Sequence, residues 1–193
     1  MTDAWVGLFS GGKDSSWAVY RALEDGLNVE RLLTVHPSAD SYMYHVPETQ
    51  LAELAAESMG IDHVSVEPGD LGATEVDDAG AQGDRELEPL EAALRELSEA
   101  VDLTGVTAGA IESEFQTHRI EEMCDRLDIE LFAPLWQRDA EELATEMLEA
   151  GFEITILQVA AYGLDESWLG RTLDADAIDD LRALNAEYGV HLL

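Results

Sequence analysis

Residues 10–15 of the chain, Ser-Gly-Gly-Lys-Asp-Ser, combine the groups that bind a phosphate. Glycine lets the backbone approach an anion closely, and the hydroxyls of Ser10 and Ser15 are hydrogen-bond donors. Lys13 adds a positive point charge and is the only lysine of the chain, against 42 acidic residues. Asp14 supplies a carboxylate able to hold Mg²⁺. The run therefore predicts a site for the phosphates of a nucleotide.

The position of this run between two predicted elements supports the same interpretation. Residues 5–9 form a short apolar segment typical of a buried strand. The apolar residues of 15–25 recur at helical spacing until Gly26, a glycine typical of a helix C-terminus. The free N–H groups and the dipole of a helix N-terminus favour an anion. A glycine-rich turn that leads from a strand into a helix is therefore a suitable phosphate site.

Two phosphate-binding motifs compete for this run. Gly7, Gly12 and Lys13 nearly complete the Walker A pattern, but Asp14 occupies the place of the Ser or Thr that coordinates Mg²⁺. Gly7 also falls within the predicted strand. The other pattern, Ser-Gly-Gly-x-Asp-Ser, resembles the PP-loop of N-type ATP pyrophosphatases at all five defining positions. That resemblance implies a loop that grips the β,γ-pyrophosphate of ATP and leaves the α-phosphate open to attack, and we favour it.

Strands and helices alternate along the whole chain. This alternation predicts an α/β fold, Rossmann-like and similar to adenine nucleotide α-hydrolases, with a parallel sheet covered by helices on both faces. A composition shift near Pro134 predicts a nucleotide-binding domain at 1–134 and a smaller α/β part at 135–193. Predicted strands lie at 5–9, 31–35, 62–66, 105–110, 129–133 and 153–161, and predicted helices at 15–25, 47–59, 87–101, 117–126, 140–149 and 175–188.

The carboxyl edge of such a sheet is where a ligand is expected to bind. The loop at 10–15 follows the first strand, His36 follows the second, and residues 111–114 follow the fourth. We therefore expect these three segments to converge. Residues 69–85 hold glycines and aspartates without a sustained apolar period, which predicts a solvated acidic loop.

The charge of the chain limits its partners and its setting. The formal net charge is −32, yet 46% of the residues are hydrophobic, so the chain is not a disordered acidic protein. Acids spread over the whole length with almost no lysine suggest a protein that works in very high salt, where repulsion between like charges is screened. A nucleic-acid mimic or a histone-like binder of bases is also acidic, but neither needs a phosphate loop. Without a basic stripe, direct nucleic acid binding is not expected.

Cysteine content and hydropathy exclude several further classes. The single cysteine, Cys124, rules out a disulfide framework and a cysteine-rich zinc site, and its place on an amphipathic helix favours an inert, half-buried thiol. The chain opens without a signal peptide, and no apolar run approaches the length of a membrane span. We therefore expect a soluble, cytoplasmic protein, for which a homodimer is one option.

Four further segments carry a resemblance to a known family. They are 41–45 (Ser-Tyr-Met-Tyr-His), 109–116 (Gly-Ala-Ile-Glu-Ser-Glu-Phe-Gln), 134–139 (Pro-Leu-Trp-Gln-Arg-Asp) and 162–171 (Tyr-Gly-Leu-Asp-Glu-Ser-Trp-Leu-Gly-Arg). Together with the PP-loop they resemble the diphthine–ammonia ligase family, an archaeal and eukaryotic branch of the PP-loop ATP pyrophosphatases. The resemblance runs from Ala4 to His191, and the acidic composition suggests a halophilic archaeal member.

The resemblance implies an activity and a set of site residues. ATP would adenylate the carboxylate of diphthine on translation elongation factor 2, and ammonia would then displace AMP to form the amide. Mg²⁺ would bridge the phosphates, held by Asp14 and, as weaker candidates, Glu112 or Glu114. The implied pyrophosphate contacts are Ser10, Gly11, Gly12, Asp14 and Ser15, assisted by Lys13, and the implied catalytic group is Lys13, Asp14 and Ser15. The implied adenosine contacts are Val35, His36, Gly109 and Ala110. The residues implied to contact the substrate are Tyr42, Tyr44, His45, Glu114, Gln116, Tyr162, Gly163, Asp165, Glu166, Trp168, Gly170 and Arg171.

Diphthine carries a quaternary ammonium, which suits a cage of aromatic rings and carboxylates. Tyr42, Tyr44, Tyr162 and Trp168, beside Asp165 and Glu166, form the expected cage, with Trp168 exposed. For Asp14 an alternative role is the N-cap of the first helix, for which Ser15 competes. His45 and His118 are able to handle the proton of ammonia but are equally explained as surface residues. The chain departs from the family at its end, because a Gly- and Glu-rich run expected after 187–191 is absent before Leu193.

Three rival functions remain at this stage. A tRNA-modifying PP-loop enzyme of the thiolase or lysidine type is the nearest, although a thiolase needs a reactive cysteine, usually partnered by a second, and Cys124 lies mid-helix. A nucleotide-binding module without catalysis would bind ATP or AMP and turn neither over. A Walker-type ATPase would release ADP instead of AMP.

Overall fold

The computed structural model describes residues 3–36, 51–67, 79–110, 114–159, 161 and 163–189. The chain forms two compact units, Met1–Trp136 and Gln137–Leu193. Among the described residues, no helix combines the length and the apolar character that a membrane crossing requires.

The first unit is built around a five-stranded sheet in the order β3-β2-β1-β4-β5. Every neighbouring pair of strands is parallel, as the alternation of strands and helices predicts. The elements, in chain order, are β1 (Ala4–Leu8), α1 (Lys13–Glu24), β2 (Val29–Val35), α2 (Ala52–Met59), β3 (Asp62–Val66), α3 (Ala79–Ala100), β4 (Leu103–Thr107), α4 (Glu114–Leu127) and β5 (Glu130–Phe132).

Apolar side chains cover the sheet on both faces, since successive residues of a strand point to opposite sides. Leu33 packs in one buried cluster with side chains of α3 and α4, such as Leu90 and Met123. Leu32 packs in a second cluster with side chains of α1 and α2. The sheet is therefore buried between two helical layers, which is the arrangement in which parallel sheets are stable.

The second unit contains α5 (Ala140–Glu149), a short 3₁₀ helix (Glu166–Trp168) and α6 (Ala175–Tyr188). Each of the three begins with an aspartate whose carboxylate accepts hydrogen bonds from backbone N–H groups of the first turn. Arg182 of α6 pairs with Glu141 of α5 and with Asp179 of its own helix. Aspartate is a favoured N-cap, so the starts of these helices follow from local sequence.

The predicted strand at 153–161 is wrong. Over the described residues of this segment only one isolated bridge forms, between Thr155 and Thr172. Ile156 exchanges hydrogen bonds with the backbone of Gly170 and Arg171. The segment opposite contains the 3₁₀ helix and Gly170 at φ +78°, so no extended strand is available for continued pairing.

The predicted acidic loop at 69–85 is also wrong in part. Helix α3 begins at Ala79, so residues 79–85 are helical, while 69–78 lie outside the described residues. These first seven residues of α3 read Ala-Gly-Ala-Gln-Gly-Asp-Arg. Alanine, glutamine and arginine favour a helix even without an apolar period, whereas the loop prediction rested on the glycines and aspartates and on the lack of such a period.

Candidate active site

The loop that follows β1 lies where the order of the strands reverses. β1 pairs with β2 on one side and with β4 on the other, so the chain leaves β1 toward one edge of the sheet and later returns to build the other. Ligands of open α/β sheets bind in the crevice that such a reversal opens at the carboxyl ends of the strands. Residues 10–12 occupy this position, between the end of β2 at Val35 and the end of β4 at Thr107.

Helix α1 begins at Lys13 and has no side-chain cap. Its N-cap residue is Gly12, which offers no acceptor to the first turn. The alternative role of Asp14 as the N-cap is therefore wrong, because Asp14 already lies within the helix. An uncapped N-terminus leaves N–H groups that need acceptors, and a phosphate provides them.

The two serines of the loop are held in one network of hydrogen bonds. The hydroxyl of Ser15 donates to the carbonyl of Gly12 at 3.1 Å and accepts from the backbone N–H of Ser10 at 3.3 Å. The hydroxyl oxygens of Ser10 and Ser15 lie 3.2 Å apart, and the N–H of Gly12 donates to Ser10 Oγ at 3.5 Å. Ser15 is buried. The curvature of the loop is therefore fixed from inside by its own side chains.

Lys13 and Asp14 form an ion pair beside the loop. Lys13 Nζ donates to both carboxylate oxygens of Asp14 at 2.8 Å. The side chains are 27% and 32% exposed, so solvent reaches both. A partly exposed pair of this kind is weakly held, and the ammonium is able to turn from Asp14 to an incoming phosphate.

Two glycines allow the neighbouring backbone to lie directly against the loop. A Cβ at Gly109, just after β4, would be 2.7 Å from the carbonyl carbon of Asp14. Gly11 has φ +81°, and a Cβ there would lie 3.3 Å from the Cα of Ala52 in α2. Of the predicted adenosine contacts, Gly109 is therefore placed against the phosphate loop itself.

The end of β2 carries a polar cluster on the face that α1 and α2 cover. His36 Nε2 lies 2.7 Å from Ser65 Oγ, while Val35 is buried on the opposite face, in the cluster with side chains of α3 and α4. Thr34, which is 1% exposed, bonds to the carbonyl of Phe9 at 2.6 Å and to His63 Nε2 at 2.8 Å. Thr34 and His63 are absent from the sequence-predicted site. The signal available was Thr34 itself, a polar residue within the apolar stretch Leu-Leu-Thr-Val that ends the strand.

The candidate metal ligands suit a cation that also binds substrate phosphates, not one that is coordinated by protein side chains alone. Within the described part of the chain, no group of three or more His, Cys, Asp or Glu side chains is placed to hold a metal ion. Asp14 provides one accessible carboxylate, and Glu112 lies outside the described residues. Mg²⁺ commonly binds through one or two carboxylates together with substrate phosphates.

Several substrate-side candidates belong to the second unit, and one of these predictions is wrong. Trp168 is 8% exposed, not an exposed member of a cage. The guanidinium of Arg171 lies 4.5 Å from the centroid of its ring and pairs with Asp180 at 2.8 Å. An indole gains free energy by burial, and its face is already covered by this cation.

Two of the remaining candidates of this segment, Asp165 and Gly163, have structural roles. Asp165 accepts hydrogen bonds from the N–H and hydroxyl of Ser167, and these hold the pKa of its carboxyl below the usual range. Gly163 has φ +99°, and a Cβ there would meet the ring of Tyr188 at 2.8 Å. Glu166 is exposed, and Gly170 has φ +78°. Tyr42, Tyr44, His45 and Tyr162 lie outside the described residues, and Glu114 and Gln116 lie in the first turn of α4.

The single cysteine is not a nucleophile in this fold. Cys124 is 3% exposed in the cluster beneath α4, more buried than predicted. Burial, followed by the charges of Asp125 and Glu121, raises the pKa of its thiol to about 12. A thiol that stays protonated and covered does not carry a persulfide, which argues against the thiolase alternative.

Comparison with known proteins assigns the chain to a family. Residues 4–131 match the diphthamide synthase N-terminal domain, and residues 139–193 match the diphthamide synthase C-terminal domain. The chain belongs to the diphthamide synthase family. The resemblance found in the sequence is thereby confirmed.

Relatives within this family are similar over nearly the whole chain. Diphthine–ammonia ligase of Danio rerio is 34% identical over 97% of this chain and 76% of its own length. The Homo sapiens protein of the same name is also 34% identical, over 96% of this chain and 72% of its own. Among solved structures, a predicted subunit of tRNA methyltransferase from Methanocaldococcus jannaschii has a TM-score of 0.52 at 20% identity, covering 97% of this chain and 88% of that one. This last likeness concerns the fold alone.

Proposed function

We propose that this chain catalyses the ATP-dependent amidation of diphthine on translation elongation factor 2, with ammonia as the nitrogen donor. The observation that carries the proposal is the match of both parts of the chain to the two domains of one synthase family. The uncapped start of α1 at the reversal of strand order supports it independently, because the reaction requires a triphosphate site there. Residues 1–134 would bind ATP and residues 135–193 would serve the substrate side.

Amidation of a carboxylate needs a leaving group better than oxide. In the proposed reaction a carboxylate oxygen of diphthine attacks the α-phosphorus of ATP, and pyrophosphate departs. Ammonia then attacks the acyl carbon, AMP leaves, and the excess proton passes to solvent or a nearby base. Both steps build negative charge on phosphate oxygens, so backbone donors and cations fixed beforehand lower the barrier.

The loop residues supply these groups. The N–H groups at the start of α1 and the hydroxyl of Ser10 would hold the β- and γ-phosphates. Ser15, whose buried hydroxyl donates to the Gly12 carbonyl, would hold the shape of the loop instead. Lys13 would exchange the carboxylate of Asp14 for a phosphate oxygen, which frees Asp14 for a metal ion. Mg²⁺ bound there, with Glu112 as a second candidate ligand, would neutralise the phosphates during attack. Val35, His36, Gly109 and Ala110 would border the adenosine, since they lie at or just beyond the ends of the two strands on either side of the loop.

The acceptor side is proposed from the family segments. Candidates are Tyr42, Tyr44 and His45 in the first unit, with Glu114 and Gln116 at the start of α4. In the second unit the candidates are Tyr162, Gly163, Asp165, Glu166, Gly170 and Arg171. Trp168 would act indirectly, since its buried ring carries the guanidinium of Arg171. A quaternary ammonium is attracted by tyrosine faces and by carboxylates such as Asp165, whose pKa is lowered by the hydrogen bonds from Ser167.

The experiment that tests this function follows ATP with the full chain in molar KCl, Mg²⁺ and ammonium, with and without elongation factor 2 carrying diphthine. AMP, pyrophosphate and a one-unit lower mass for the amidated factor are expected only when the modified factor is present. Unmodified factor is the matched control. Release of ADP would point to a Walker-type ATPase instead, and ATP bound without turnover would point to a nucleotide-binding module.

A further inference from the structure

A continuous line of hydrogen bonds leads from the edge strand β3 to the phosphate loop. His63 Nε2 lies 2.8 Å from Thr34 Oγ1, and Thr34 Oγ1 lies 2.6 Å from the carbonyl oxygen of Phe9. Phe9 is the last residue before the loop, and its own N–H donates to the carbonyl of Leu33 at 2.8 Å. Phe9 directly follows the end of β1, and both its N–H and its carbonyl are hydrogen-bonded to residues of β2.

The peptide unit between Phe9 and Ser10 is held at both ends. Its oxygen accepts from the hydroxyl of Thr34, and its nitrogen, which belongs to Ser10, donates to Ser15 Oγ at 3.3 Å. Ser15 in turn donates to Gly12. The orientation of this peptide plane decides the direction in which the loop leaves the sheet, since only two backbone torsions per residue are free.

The direction of each hydrogen bond in this line follows from chemistry. A carbonyl oxygen only accepts, so the single hydroxyl proton of Thr34 goes to Phe9. Thr34 Oγ1 must then accept from His63, and His63 Nε2 therefore carries a proton. Burial lowers the pKa of His63, an effect opposed by the charge of Glu53 in α2 and reinforced by His36, which follows β2. The neutral ring is then the Nε2–H tautomer.

We propose that His63 is a positioning residue of the phosphate loop, acting through Thr34 on the peptide between Phe9 and Ser10. The proposal rests on the proposed function, because it assigns this role toward the triphosphate of ATP. Thr34 is almost fully buried, so removal of its hydroxyl leaves the Phe9 carbonyl without this donor in a place that water hardly reaches. A buried acceptor without a donor is unfavourable, and rotation of its peptide plane toward another donor would displace Ser10 and the loop.

Two matched pairs of variants test the proposal in the full-length protein. Thr34→Val keeps the shape and removes the hydroxyl, while Thr34→Ser keeps the hydroxyl. His63→Leu removes the donor, while His63→Gln restores an N–H donor at similar reach. Calorimetric titration with MgATP in molar KCl is expected to show binding about tenfold weaker for Thr34→Val and several-fold weaker for His63→Leu. Thr34→Ser and His63→Gln are expected to bind MgATP with an affinity within about threefold of that of the parent protein.

A second measurement separates this proposal from the function on which it rests. In proton–nitrogen NMR spectra without nucleotide, the amide resonance of Ser10 is expected to shift in Thr34→Val and His63→Leu and to return in Thr34→Ser and His63→Gln. If the parent protein does not bind MgATP, the proposed function fails, but the shifts of the Ser10 amide still test whether His63 and Thr34 position the loop. If the parent binds MgATP and both members of each pair bind equally, or the Ser10 amide does not respond, the positioning role is overturned. Should Thr34→Val fail to fold, the His63 pair on the half-exposed edge strand decides alone.

Discussion

Gly109 lies directly against the backbone of Asp14: a Cβ at position 109 would be 2.7 Å from both the carbonyl carbon and the carbonyl oxygen of Asp14. These distances are shorter than any that real Cβ atoms make, and the atoms they would meet belong to rigid backbone. The start of α1 therefore reaches its position only because β4 is followed by a residue without a side chain.

Replacement of Gly109 by alanine is expected to displace the first turn of α1 and to weaken MgATP binding by about tenfold or more. Calorimetric titration measures this. Gly26→Ala is the matched control, since Gly26 has φ +82° and open space around it. That change should lower the free energy of unfolding by about 1 kcal/mol through backbone strain and leave nucleotide binding unchanged. Equal binding by Gly109→Ala and the parent protein would contradict the close-approach argument.

Lys13→Met is expected to weaken ATP binding by about tenfold or more, because a charge-assisted contact to phosphate is lost. The melting temperature should hardly change, since the pair with Asp14 is partly exposed and such pairs contribute little. Arg31→Met, which breaks the surface pair with Asp62, is the control for loss of one positive charge. A large drop in melting temperature with normal ATP binding would assign Lys13 to the fold instead.

Cys124 is expected to resist thiol reagents in the native protein. Its pKa, raised to about 12 chiefly by burial, keeps the thiol protonated at pH 8, and the side chain is covered. Reaction with a chromogenic disulfide should proceed only in guanidinium chloride, with one thiol titrated. Because the thiol is neutral in the folded state and ionises more readily when unfolded, this group should disfavour folding as the pH rises above its ordinary pKa. Rapid native labelling at pH 8 would contradict this assignment.

The net charge of −32 leads to an expectation about salt. Raising KCl from about 0.1 M to about 1 M shortens the Debye length from about 10 Å to about 3 Å, which screens repulsion between the acids. We therefore expect the melting temperature to rise by several degrees over this range. Sucrose at matched osmolality is the control, since it favours compact states without screening charge. A melting temperature that falls with KCl, or responds equally to sucrose, would contradict an electrostatic origin.

Local sequence was sufficient to predict most of the secondary structure. The bounds of α5, α6 and β3 agree with the predicted 140–149, 175–188 and 62–66. Apolar periodicity and aspartate caps act over a few residues, so they can be recognised without the fold. The predicted strand at 153–161 failed because a strand needs an extended partner, and the bend at Gly170 is a property of another segment.

Burial and polar partners were beyond the reach of sequence reasoning. Trp168 was expected to be exposed, yet it is covered by Arg171, three residues away along the chain but brought over its ring by the turn between them. His63 lies 29 residues from Thr34 and 54 from Phe9, and only the pairing of β3 with β2 brings these residues into one line of hydrogen bonds.

The amino-acid sequence by itself determined the phosphate loop, the alternation of strands and helices, and the resemblance that led to the family, because each depends on residue types at short spacings. The tertiary structure decided which backbone lies against that loop and which polar groups hold its entry. Gly109 meets Asp14, and Thr34 meets Phe9, only because β1 lies between β2 and β4 in the sheet. Such contacts join residues far apart in the chain, and strand order, not local propensity, selects them.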